Sequence, residues 1–125
     1  LQSIDSLQTT ILLLPLDAGL LFQLGLLKYN NKDFAGSAKS FEQAIALASE
    51  YANAKYFLGL AYVDLGRTPD AIIQFIDLAN SNPESAEVLL ILENLKAGRG
   101  AFANAKAPID SNPEKRKELP LKQKN

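Results

Sequence analysis

Few side chains in this sequence can do covalent or redox chemistry. The chain has no His, Cys or Met, which excludes thiol nucleophiles, disulfides, Cys/His zinc sites, histidine general bases and haem ligation by those residues. Carboxylates remain: Asp64 with Asp70, and Glu84 with Glu87, are the closest pairs that could serve as acid and base or hold a metal. Both pairs flank segment breaks, where an acidic side chain meets the positive end of a helix or plain solvent, and that reading is preferred. Gly98, Arg99 and Gly100 look like the start of a phosphate loop, but no strand precedes them and no lysine pattern follows, so a helix-ending turn is expected. Lys115, Arg116 and Lys117 could touch nucleic acid or anionic lipid, yet Glu114 and Glu118 flank them and favour a solvated linker. No catalytic residue, metal ligand or cofactor is assigned, and no nucleic-acid partner is expected.

The elements that must position any site belong to a small chain. Its 125 residues, 47% hydrophobic and 22% charged, suit one globular domain. Charge is uneven: residues 1–105 carry 7 basic and 11 acidic side chains, residues 106–125 carry 6 basic and 3 acidic. Residues 108–125 contain Pro108, Pro113 and Pro120 and too little apolar area to offset the entropy of ordering, so they are expected to form a flexible tail. The apolar region Ile11 to Tyr29 is interrupted by Pro15, Asp17 and Gln23, and neither a membrane span nor a signal peptide is read there. The chain starts at Leu1 without methionine, and a processed chain or a piece of a longer protein is expected. Nothing in the sequence identifies a compartment.

The sequence resembles itself at a fixed offset of about 34 residues. Leu24 and Gly25 recur as Leu58 and Gly59, Phe41 as Phe75, and Phe22 as Tyr56 and then Leu90. Ile4, Ala38 and Ile72 keep the same spacing, as do Leu7, Phe41 and Phe75, and Pro15, Ser49 and Pro83 mark the same break. Apolar residues within each unit follow steps of three and four, as in Phe34, Ala38, Phe41, Ala44, Ile45 and Ala48, so the local period is helical. Helices are predicted over 3–14, 18–30, 34–48, 52–65, 69–80 and 85–97, with a short turn at 101–106. Gly66 suits a left-handed cap, Thr68 a cap for the following helix with Pro69 at its first position, and Ser85 the start of another helix.

A helix-turn-helix unit of this length, with Leu and Gly in its first helix, Gly in the turn, Ala and Phe in its second helix and a closing Pro, resembles the tetratricopeptide repeat. Residues 52–85 carry the pattern best, through Leu58, Gly59, Tyr62, Gly66, Ala71, Phe75 and Pro83. Residues 18–51 match through Leu24, Gly25, Phe34 and Phe41, with Lys28, Lys32 and Ser49 departing from it. Residues 1–17 are similar to the second helix of a preceding repeat, and 86–107 to a partial repeat or capping helix in which Glu93 replaces the small residue. The resemblance implies an all-α, right-handed superhelical solenoid whose concave surface binds peptides. Gly25 and Gly59 let helices approach, while Phe41 and Phe75 fill the space between them.

The first helix of each pair is apolar on more sides than pairing needs. Packing within the repeat is expected to use Leu21, Leu24, Gly25 and Leu27, then Leu58, Gly59, Ala61 and Tyr62. Phe22, Leu26 and Tyr29, then Tyr56, Leu60 and Val63, then Leu90, Asn94 and Ala97, form a second stripe along the groove. Exposed apolar stripes mark contact surfaces. Recognition of an apolar or aromatic protein segment is expected there, with Asn53, Asp64, Glu87 and Asn94 as polar guides. A clamp for a C-terminal carboxylate is not favoured, because apolar side chains occupy that surface and no basic cluster joins them. Leu89, Leu92 and Leu95 on the last helix are expected to be undercovered, and either the 101–109 segment folds back with Phe102 and Ile109 as plugs or a second molecule covers that edge. Three rival roles are self-association through apolar terminal helix faces, a passive spacer, and part of an enzyme whose catalytic residues lie outside this chain.

Overall fold

The computed structural model describes residues 17–105, which form five α-helices and, among those residues, no strand. They are α1 (Ala18–Asn30), α2 (Phe34–Leu47), α3 (Ala52–Asp64), α4 (Thr68–Ser81) and α5 (Ala86–Lys96). The helix expected over 3–14 and the tail expected over 108–125 lie outside the described residues. Each helix packs on the next in sequence, and α1 also touches α3. Such neighbour-to-neighbour packing makes the molecule an all-α helical-repeat solenoid.

Local chemistry sets the helix starts. The Asp17 carboxylate accepts from the Gly19 and Leu20 amides at 2.7 and 3.3 Å, Asp33 from Gly36 at 3.0 Å, and the Ser85 hydroxyl from Val88 at 3.3 Å. Each satisfies amides that an α-helix leaves unpaired at its first turn. Thr68 does not cap α4: the helix begins one residue earlier than expected, with Arg67 preceding it and Pro69 inside the first turn. Proline fits there because its missing N–H would have no helical acceptor. Gly66 takes the left-handed conformation, φ 74°, and Lys32, at the equivalent place in the preceding unit, takes φ 62°.

The core is built by two matched contacts. A Cβ added to Gly25 would stand 2.5 Å from a ring carbon of Phe41, and one added to Gly59 would collide with the ring of Phe75. Phe57 joins the units, its ring centroid 6.2 Å from Phe41, 5.7 Å from Tyr29 and 5.3 Å from Tyr56.

Candidate functional site

The residues expected along the groove divide by burial. Phe22, Tyr56, Leu60 and Asn94 are 8%, 0%, 3% and 0% exposed, so these four are corrected from contact residues to core. Phe22 lies among rings, with centroids 5.0 Å from Tyr51, 5.8 Å from Phe41 and 6.3 Å from Phe57, and Tyr56 meets Phe75 edge-on at 5.8 Å. Aromatics on adjacent helices satisfy one another, as ring edges and faces attract. Asn94 is buried for a polar reason: its side-chain amide donates to the carbonyls of Ala101 and Ala103 at 3.0 and 2.6 Å.

Leu26, Tyr29, Asn53, Val63, Glu87 and Leu90 are half-buried, and Asp64 is exposed. Tyr29 and Val63 stand one repeat period apart, as do Asn53 and Glu87, so α1, α3 and α5 present equivalent positions. Tyr29 packs edge-on against Phe34 and Phe57, at 5.4 and 5.7 Å. Burial, helped by the nearby Asp64 carboxylate, pushes its phenol up to about 12. Burial also raises the Asp64 carboxyl above its ordinary range. The Oδ1 atom of Asn53 is buried without a hydrogen-bond donor. An unmet acceptor of this kind is uncommon in folded proteins.

The largest exposed apolar side chains among the described residues stand elsewhere. They are Leu47, Leu65, Ile73, Ile76 and Leu89, with Ile73 and Ile76 one turn apart on α4. Of the three leucines expected to be undercovered on α5, Leu89 is exposed and Leu92 half-buried, but Leu95 is buried.

The polar groups weighed for chemistry are scattered. Asp70 accepts from Arg67 Nε at 2.9 Å, and Arg67 also lies over the Tyr62 ring, 4.3 Å from its centroid. The Tyr62 hydroxyl donates to Glu42, and burial with this hydrogen bond raises its pKa well above the ordinary phenol. Gly98, at φ 77°, turns the chain after α5. No group of three or more acidic, His or Cys side chains that could hold a metal occurs among the described residues, nor does a helix long and apolar enough to cross a membrane.

Sequence reading missed Lys55 and Phe57. Lys55 is 7% exposed; its ammonium meets Asp77 at 2.5 Å and Glu50 at 4.0 Å. A lysine on a helix otherwise read as apolar gave no sign of burial. Phe57 was hidden by the repeat itself, because its equivalent one period earlier is the exposed Gln23; the buried Ile91, one period later, was the available signal.

No curated protein matches the chain. The sequence model of the tetratricopeptide repeat matches residues 22–86, just over half of the chain and the span from the second turn of α1 to the start of α5. Repeats of this kind generally mediate protein–protein interaction on a noncatalytic scaffold. With its glycine–phenylalanine contacts repeated in phase from one unit to the next, this chain belongs to the tetratricopeptide repeat family.

Proposed function

We propose that the chain is a noncatalytic scaffold that binds an apolar or aromatic peptide segment along the face shared by α1, α3 and α5. The supporting units are two repeats, 18–51 and 52–85, flanked by parts of two others. The observation that carries the reading is the half-burial of Leu26, Tyr29, Val63 and Leu90 on α1, α3 and α5, helices that also carry the half-buried Asn53 and Glu87 and the exposed Asp64. Leu26, Tyr29 and Val63 pack against the buried core that contains Phe22, Tyr56 and Leu60. Side chains already packed before binding reduce the ordering cost of association.

Affinity selection of a random peptide library on the immobilised full chain tests the proposal. Selected peptides are expected to be rich in aromatic and aliphatic residues and to lose at least tenfold in affinity against Val63→Ser and Leu90→Ser, about 1.4 kcal/mol or more. Peptides that bind both variants as tightly as the parent would contradict it.

A further inference from the structure

We propose that Glu93, Asn94 and Arg99 form a built-in stop that ends the repeat array at α5, with residues 97–105 strapped over the end in place of a second helix. Two adjacent positions on α5 break the repeat pattern. In α1 and α3 they are Gly25–Leu26 and Gly59–Leu60; in α5 they are Glu93–Asn94.

The first change removes the room for a partner helix. Gly25 and Gly59 are the positions against which the rings of Phe41 and Phe75 press, at distances no Cβ tolerates. A second helix brought to α5 in the same geometry would press its ring into the Cβ of Glu93. The repeat register also identifies the edge left uncovered: Lys55, held by Asp77 of the following helix, is 7% exposed, and its equivalent Leu89 is 44% exposed.

The second change supplies a replacement. Asn94 takes the carbonyls of Ala101 and Ala103 through both amide hydrogens, and its Oδ1 accepts from Arg99 Nε at 2.9 Å. The Arg99 amide closes the turn by donating to the Asn94 carbonyl at 2.8 Å. Its guanidinium lies 3.9 Å from Glu93. Gly98 and Asn104, both left-handed at φ 77° and 62°, bend the strap back, so that Ala101 is buried and Phe102 packs on the core. Leucine at position 94 would leave the strap's carbonyls without these donors.

Two experiments on the full chain test the stop. In Asn94→Leu, which restores the repeat residue and supplies an apolar side chain, the amides of 99–105 are expected to exchange hydrogen at least tenfold faster while those of α2 and α3 are unchanged. Unchanged protection of 99–105 would overturn the proposal, and Arg99→Met gives a second reading should the first variant fold poorly. In a graft, residues 98–115 are replaced by the sequence of residues 64–81, which sets a phenylalanine opposite position 93. The new segment is expected to form a protected helix only when combined with Glu93→Gly. Equal protection with Glu93 retained would overturn the role of that side chain.

Discussion

The ring of Phe75 occupies the space that a Cβ on Gly59 would need, its Cδ2 3.0 Å from that position. Phe41 stands in the same relation to Gly25, so one contact, repeated in successive units, sets how closely the paired helices approach.

Gly59→Ala is therefore expected to destabilise the chain by about 1 to 3 kcal/mol, although alanine in a helix interior ordinarily gains ~1 kcal/mol over glycine. The sign distinguishes packing from propensity. Phe75→Ala should cost ~3 to 5 kcal/mol by opening a cavity. Urea denaturation of both single variants and of Gly59→Ala with Phe75→Leu should show the double variant recovering part of the alanine penalty, since the smaller side chain relieves the overlap.

Lys32 holds a left-handed φ of 62° at the turn position where the next unit has Gly66. A side chain with a Cβ is strained there by ~1 kcal/mol or more, and glycine is not. Part of the relief is offset by glycine's greater freedom in the unfolded chain. Lys32→Gly should raise stability by about 0.5 to 1 kcal/mol, and Gly66→Ala should lower it by a similar amount, both measured by the denaturation midpoint.

How much could be read in advance followed from how strongly each residue was tied to the period. Gly25, Gly59, Phe41 and Phe75 recur in phase, and the structure puts them in contact. The groove was harder, because periodicity assigns a residue to a helix face without saying what covers that face. Phe22 and Tyr56 are claimed by rings from Tyr51, Phe57 and Phe75, and Phe57 departs from the repeat pattern. The polarity of Asn94 suggested exposure, but its amide is spent on the backbone of Ala101 and Ala103, and no periodic pattern encodes such a bond.

The buried Lys55 side chain makes an asymmetric prediction. Asp77→Ala leaves the charge of a largely buried side chain with Glu50 as its remaining ion-pair partner among the described residues, and should cost about 1 to 3 kcal/mol. Lys55→Met removes the charge that needed a partner while keeping most of the side-chain volume. It should change stability by less than ~1 kcal/mol, because replacing a buried ion by an apolar group is often close to neutral. Thermal melts of the two variants compare them directly.

Alkaline pH should unfold the chain through its tyrosines. Tyr29 is pushed up to about 12 by burial and the Asp64 charge, and Tyr62 is raised by burial and its bond to Glu42. Because the folded state holds these protons more tightly than the unfolded one, their stabilisation is complete below the ordinary phenol value near 10 and is lost as pH rises through the folded values. The urea midpoint should fall from pH ~10 upward. Tyr29→Phe combined with Tyr62→Phe should flatten that fall.

A scaffold role of this kind depends most on where a partner segment sits. Titrating a selected apolar peptide into isotope-labelled chain and following amide chemical shifts measures this directly. The proposed face predicts the largest shifts at Tyr29, Asn53, Val63, Asp64, Glu87 and Leu90. Shifts centred on Ile73 and Ile76 of α4, with that face unmoved, would contradict it.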